Sequence, residues 1–586
     1  MLTTATVPEI RAAEQPLLDA GVPLMDQAAH AVSDAVLADG FVPGAAVDLL
    51  VGAGNNGGDA LWAGKYLQDA GLRVTAYLVG DTVYGPGLAA LRAAGGNVVI
   101  VGAAKAVPTP ADGLGAPARP DPQLPVVVAA AQLATADVLI DGLLGIGATG
   151  LMRGIAGDLV TALNESLKQP PPLGRRRPWV MAVDSPSGVV LDGDGAGQVP
   201  GPALAANHTI TFGAPKPGLL LPPAAHLVGK LTVANLGMTV PTQTNAPSQV
   251  TVSTQPTMPS QVNPGSPNPL SSEHPTNAAG SSPSVSPAVH RLVADDVAAL
   301  WAVPTAADQK YTRGVVGVIA GTQKYPGAAV LATSAAANSG AGMVRYLGPD
   351  DVAKQVIAAN PEVVAGGGQV QAWVCGSGVP TTLSGDPDDG QRERIRAALS
   401  GAIGTLAGVG GKVPVVVDAG ALEMLPARVP PWVVLTPHSG ELAVLLTSRG
   451  HRTSRAQVDA DPLAATRLAQ QLTGATVLLK GNTTVVVGPN PVNPQQGQLV
   501  FSQADAPAWL ATAGAGDVLA GLLGTMLAQH SAAVVADPTL AARIAAAAAL
   551  VHGQAAAQVN PGGPITASAV ARELPPTIAR ILTSTA

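Results

Sequence analysis

Continuous apolar runs rich in β-branched residues recur along the chain, each ending near a Gly or Asp and each giving way to a helix-compatible stretch. In the first half they fall at residues 47–51, 73–79, 137–141 and 180–184; in the second, at 315–320, 373–376, 413–418, 433–436 and 475–480. Strands without polar alternation are strands covered on both faces, so the pattern predicts two α/β domains built on parallel sheets with helices on either side. Near the start, Thr6 and Glu9 flank Pro8 in the spacing of a capped helix beginning near Pro8. Alanine is abundant and suits either face of a helix, so helical periodicity is blurred and the Gly-rich loops carry more information. No internal repeat relates the halves.

The rhythm breaks between residues 241 and 288, where Pro, Ser, Thr, Asn and Gln dominate and Glu273 is the sole charged residue. Such a stretch buries too little apolar surface to offset its ordering entropy and is expected to be a disordered linker. The domains are then 1–240 and 289–586, joined by a tether of roughly 35 to 42 Å average span with no fixed mutual orientation. A shorter Pro/Gly/Ala stretch at 103–125 reads as a surface insertion.

At 586 residues the chain exceeds what one core organises, near ~250 to 300. The net charge of −7 is mild, and the one dense basic run, Arg175 to Arg177, is too short to track a phosphate backbone, so nucleic acid is not expected as a partner. A single cysteine, Cys375, cannot form an internal disulfide, and the N-terminus lacks a basic-then-apolar signal pattern. The cytoplasm is the expected compartment. Apolar runs such as 544–551 are about half of the ~20 residues that a bilayer span needs, so no membrane segment is expected.

Chemistry gathers at the strand ends. The Gly-rich run at 51–59 follows a strand and precedes a helix expected near Ala60, a geometry that aims backbone N–H groups at a phosphate. A plain βα turn would need neither Asn55 and Asn56 nor Asp59. Asp141 and Asp184 also close apolar strands and abut Gly-rich turns, and carboxyl ends of parallel strands form the ligand crevice, so Asp59, Asp141 and Asp184 are expected to converge. Singly, each would read as a cap or turn former. Lys216, in a further loop after a strand, either faces ligand phosphates or is simply exposed.

The motifs at 55–59, 141–145, 183–188 and 214–218, in that order, resemble the NAD(P)H-hydrate epimerases over residues 1–240. The resemblance implies a Rossmann-like three-layer fold and interconversion of the R and S forms of NADH or NADPH hydrated at C6 of the nicotinamide. It further implies potassium held by Asn56, Asp141 and Ser187, with Asp184 catalytic. The substrate would be lined by Asn55, Asn56, Gly57, Gly58 and Asp59, by Gly145, Ile146, Gly147, Ala148, Thr149, Gly150 and Leu151, and by Asp184. Ala60 and Ile146 depart from the family's usual Gly and Thr.

In the second half, Gly514, Ala515, Gly516 and Asp517 open a helix-compatible run to Gln529. Such a turn makes an anion hole with a carboxylate beside it; the plainer reading is an Asp capping a helix. Lys480 to Thr484, Asp418 and His438 again lie just past apolar strands. With the motifs at 321–329, 339–343, 361–362 and 435–438, these resemble the ADP- or ATP-dependent NAD(P)H-hydrate dehydratases of the ribokinase-like family, over 289–586. The resemblance implies a three-layer fold, with Ala328, Gly378, His438 and catalytic Asp517 at the hydrated nicotinamide. Lys480, Gly481, Asn482, Thr483, Thr484 and Gly516 would contact the nucleotide, whose phosphates magnesium would neutralise. Gly420, Ser377, Ala513 and Ala515 depart from the usual pattern. A homo-oligomer is expected. The competing reading is a kinase of a small alcohol fused to a non-catalytic dinucleotide-binding module.

Overall fold

The computed structural model describes residues 1–80, 82–102, 121–146, 151–240, 288–404, 412–491 and 497–584. All but the last residue of the linker expected at 241–288 and most of the insertion at 103–125 therefore lie outside the described residues; of the latter, Gln123–Leu124 forms an edge strand parallel to Asn97–Val101.

Every apolar run becomes a strand with ends within two residues of the expected ones. In the first half these are Ala46–Val51, Arg73–Leu78, Val138–Gly142 and Trp179–Val183. They belong to a parallel eight-stranded sheet that continues through His208–Phe212 to Lys230–Ala234. Alternate side chains enter separate cores: Val47, Leu49 and Val51 pack on one face, and Leu50 with Leu139 on the other. Strand order reverses between Ala46–Val51 and its neighbour Val138–Gly142, the kind of switch point at whose carboxyl ends open parallel sheets form a ligand crevice.

The second half builds an eleven-stranded sheet in which Val315–Ile319, Ala372–Cys375, Val415–Val417, Val433–Leu435 and Thr476–Leu479 are parallel neighbours. Val416 faces one core and Val415 and Val417 the other, again a three-layer arrangement. Past Leu479 the sheet departs from the all-parallel expectation: Thr484–Gly488 runs antiparallel to both of its neighbours, Thr476–Leu479 and Leu499–Gln503. Only residues 480–483 separate Leu479 from Thr484, and a connection that short closes a hairpin, since a parallel return needs a dozen residues or more.

The N-terminal segment contradicts the picture of freely oriented domains. Leu2–Thr3 pairs antiparallel with Val289–Arg291, which in turn lies parallel to Leu499–Gln503 in the second sheet. The Thr4 amide donates to Val289 O (3.0 Å), and Val289 N returns a bond to Thr4 Oγ1 (2.9 Å). The Leu220 carbonyl accepts from Ser502 Oγ (2.6 Å) and Arg291 Nη2 (3.1 Å). Leu220 and Leu221 share an apolar cluster with Val289, Val485, Val487 and Val500. An unpaired strand edge carries orphan N–H and C=O groups, and here the other domain covers them.

The helix after Leu2–Thr3, Val7–Asp19, forms as expected: Glu9 N donates to Thr6 Oγ1 and Thr6 N to Glu9 Oε2, a reciprocal capping box with Pro8 in the first turn. The short apolar run at 544–551 proves to be part of a longer element. Leu540–Val559 is a 20-residue helix apolar and long enough to cross a bilayer by composition alone, yet 78 % of its apolar window is buried inside the second domain. It is a core helix, extended beyond the run by alanines.

Candidate active sites

At the first crevice the helix begins earlier than expected. It spans Asn55–Asp69 with Gly54 as its cap, so Asn55 to Asp59 form its opening turns. The reason is contact: a Cβ on Gly57 would stand 2.0 Å from Gly52 O, so only glycine lets the helix start against the preceding turn. Asn55 is exposed, whereas Asn56, Gly57, Gly58 and Asp59 are buried.

Asn56, Asp141 and Ser187 do meet, and their meeting point is the Leu144 backbone. Asn56 Nδ2 donates to Leu144 O (3.0 Å) and Val183 O (2.6 Å), while Leu144 N donates to Ser187 Oγ (2.9 Å). Ser187 donates to Asp141 from its hydroxyl (2.6 Å, to Oδ1) and its amide (2.8 Å, to Oδ2). Asp141 is fully buried, which pushes its carboxyl upward, while the Ser187 and Leu143 bonds pull it back. Gly145 and Ile146 follow at the crevice; Arg11 Nη2 donates to Ile146 O (3.2 Å), and Leu151 is exposed. Gly147, Ala148, Thr149 and Gly150 lie outside the described residues.

Asp184 holds a left-handed backbone, φ 64°, that side chains seldom adopt, and is 3 % exposed. Its Oδ1 accepts from Lys216 Nζ (2.5 Å), Thr211 Oγ1 (3.1 Å) and Phe212 N (3.3 Å). Lys216 is wholly buried and also donates to Thr211 Oγ1 and Phe212 O. Of the two readings of Lys216, exposed surface lysine is thus ruled out, and its partner is Asp184. Burial, then repulsion from Asp184 and Glu14, holds the Asp59 carboxyl well above the usual range, and burial raises Glu14 as well. Three carboxyl groups thus act on one another, and Lys216 offsets two of them, Asp184 and Glu14. Glu14, on the first helix, and Thr211 were missed in the sequence; neither carries a motif signal of its own.

In the second domain the site residues follow five adjacent strand ends. Ser377 follows Ala372–Cys375, Asp418 follows Val415–Val417, His438 lies three residues past Val433–Leu435, and Lys480 follows Thr476–Leu479. Gly378 sits against Ala328, past the fifth strand, Val315–Ile319; a Cβ on Gly378, at φ 66°, would lie 2.4 Å from the Ala328 Cβ. Asp418 is the hub. Its Oδ1 accepts from Lys480 Nζ (2.7 Å) and Thr436 Oγ1 (2.9 Å), and its Oδ2 from Ser377 Oγ (2.9 Å). Neither Asp418's hub role nor the use of Ser377 was legible beyond the position of that Asp at a strand end.

Asp517 stands in the first turn of Ala515–Gln529, whose cap, Gly514, is left-handed. Burial and the neighbouring Asp418 push its carboxyl up to about 7, against the opposing pull of Lys480. The Lys480 ammonium lies against Gly516, where an added Cβ would sit 3.2 Å from Nζ. Orphan N–H groups at the helix start, one ammonium and a carboxyl poised near neutrality thus share one corner. His438 caps the helix Ser439–Ser448, its Nδ1 accepting from Gly440 N (3.0 Å) and Glu441 N (3.2 Å) with the ring largely exposed. The plainer reading of His438 as a cap is therefore true of it. Gly481 and Asn482 are exposed, Thr483 is buried, and Thr484 opens the next strand.

Residues 316–575 match the protein family described as NAD(P)H-hydrate dehydratase, and residues 22–218 the family described as YjeF-related protein N-terminus. The bifunctional NAD(P)H-hydrate repair enzyme Nnr of Mycobacterium tuberculosis is 34 % identical over 544 residues, covering 89 % of this chain and 88 % of the relative. An NAD(P)H-hydrate epimerase of Clavibacter sepedonicus is 40 % identical over 39 % of this chain and 88 % of its own. An ADP-dependent (S)-NAD(P)H-hydrate dehydratase of Neisseria meningitidis is 35 % identical over 46 % of this chain and 84 % of its own.

Proposed function

This chain belongs to the bifunctional NAD(P)H-hydrate repair enzymes, and we propose that its two strand-end constellations divide the repair between them. The first interconverts the R and S forms of hydrated NADH and NADPH; the second dehydrates the S form back to NAD(P)H at the expense of ADP or ATP. The observation that carries the assignment of chemistry is Asp517, a carboxyl held near neutrality at the opening of a helix beside Lys480.

In the dehydratase site, Asp517 takes the proton of the C6 hydroxyl as that oxygen attacks the terminal phosphorus of the nucleotide. The helix-start N–H groups and Lys480 hold the oxygens on which charge develops. The C6–O bond then breaks with its electron pair on the departing phosphate, and loss of the C5 proton restores the C5=C6 double bond. Water is a poor leaving group and phosphate a good one. AMP and phosphate result from ADP, or ADP and phosphate from ATP. Among the described residues no group of three or more His, Cys, Asp or Glu could hold a metal. Magnesium, when bound, would neutralise the nucleotide phosphates and is commonly carried by them with one or two carboxylates; Asp418 is the one at hand, which leaves Asp517 to accept the proton.

In the epimerase site, Asp184 is the base at the reacting carbon, paired with Lys216, while the raised carboxyl of Asp59 keeps a proton to give. A carboxyl that keeps its proton beside an aspartate paired with lysine suits a reaction that inverts a centre by moving protons. Asn56, Asp141 and Ser187, with the Leu144 and Val183 carbonyls beside them, gather several oxygens around one buried carboxyl, a donor set that fits a potassium ion. The direct test supplies mixed R and S hydrates with ADP or ATP and follows both epimers by chromatography. Phosphate release with recovery of reduced nicotinamide supports repair; a stable phosphorylated product would indicate the small-alcohol kinase instead.

A further inference from the structure

A cavity of about 280 Å³ lies where the two domains meet. One wall comes from the first domain, as Pro222, Pro223 and His226; the other includes Asp459, Lys480 and Asn482 of the second. The contact is built rather than incidental. Two residues before Pro222, the Leu220 carbonyl is hydrogen-bonded to Ser502 and Arg291, and Gln198 Nε2 donates to Ala460 O (2.8 Å) next to Asp459.

We propose that His226, Pro222 and Pro223 complete the nucleoside subsite of the dehydratase, so that the first domain grips the base of the nucleotide consumed by the second. The inference rests on the reading that residues 480–484 bind nucleotide, and it adds a specificity element from the other domain. Three observations fix the orientation. Lys480 borders both the cavity and Gly516, so phosphates at the helix start leave the rest of the nucleotide to extend into the cavity. The Asp459 carboxylate, which also lines the cavity and carries an ion pair to Arg455 (3.4 Å), suits ribose hydroxyls as an acceptor. Two prolines and the exposed His226 imidazole offer ring faces on which a purine can rest, and the volume suits part of a nucleotide rather than the whole.

The experiment is done on the full chain by calorimetry, with ADP and with inorganic pyrophosphate as probes. His226→Ala is expected to weaken ADP about three- to tenfold, the worth of one aromatic contact, and to leave pyrophosphate unchanged. Asp459→Asn is expected to shrink the preference for ADP over its 2′,3′-dideoxy analogue. Epimerase rate and thermal midpoint, read on the same samples, check that each variant is folded. If ADP affinity is unchanged in His226→Ala while Lys480→Ala weakens both probes, the subsite is overturned and the nucleotide loop stands. Equal loss of ADP and pyrophosphate in His226→Ala would also overturn it. If Lys480→Ala weakens neither probe, the underlying nucleotide reading fails instead.

Discussion

Lys216 Nζ lies 2.5 Å from Asp184 Oδ1 with both side chains out of solvent, an ion pair sealed beneath the first crevice. Removing one partner of such a pair strands the other charge, which costs about 3 to 5 kcal/mol. Lys216→Met is therefore expected to lower the thermal midpoint of the chain and to stop epimerisation together. Asp184→Asn should stop epimerisation while dehydration of the S hydrate continues. Unchanged R-to-S conversion in Asp184→Asn would remove this aspartate from the mechanism.

For Asp517, the carboxylate form is the base. With its carboxyl raised to about 7, dehydratase turnover is expected to climb as pH passes 7 and then level off. Asp517→Asn should lower turnover ~10² to 10⁴-fold with nucleotide affinity little changed. A mere helix cap would tolerate Asn and turn over normally.

The same shift bears on stability. A carboxyl raised in the folded state, from 3.8 to about 7, binds a proton there that the unfolded chain has already lost, so between those values stability falls as pH rises. Asp517→Asn removes that dependence. Chemical denaturation should find the variant more stable than the parent above pH 7, with the gain fading towards pH 4; a gain independent of pH would contradict the assignment.

The potassium reading predicts that epimerase substrate affinity is higher in potassium than in a large organic cation, and that Asp141→Asn abolishes the difference. Equal affinity of the parent in both salts would argue against an ion at Asn56, Asp141 and Ser187.

Separating the domains should cost stability. A fragment of residues 288–586 loses Leu2–Thr3 from its sheet edge and bares Val485, Val487 and Val500 where Leu220 and Leu221 covered them. At about 1.5 to 3 kcal/mol for each large apolar side chain returned to water, its thermal midpoint is expected to drop by several degrees or more below the second transition of the full chain. An unchanged midpoint would restore the picture of a simple tether.

Much of this was legible because the signals are local. A β-branched run ending in Asp or Gly marks a buried parallel strand here, so Asp141, Asp184 and Asp418 fell at the carboxyl ends of strands as expected. Partnerships were not legible, because they join residues far apart in sequence. Lys216 reads alone as a surface charge; only the fold brings it to Asp184. Glu14 and Thr211 sit in ordinary contexts, and Ser377 looked like a mere departure until Asp418 accepted its hydroxyl. The start at Asn55 was misplaced because a glycine-rich helix opening looks like a loop. The domain contact escaped because two residues make too short a strand to leave a pattern.

That two-residue strand also sets an order of events during synthesis. Leu2–Thr3 leaves the ribosome well before its partner strand, which appears nearly three hundred residues later, and that partner needs Leu499–Gln503, later still. These two residues must therefore wait, unpaired as a strand, until almost everything else has been made. Its docking is a closing step that becomes possible only once the second sheet has acquired its antiparallel edge, so a ribosome that stalls midway releases a first domain whose Leu220 and Leu221 have nothing to rest on.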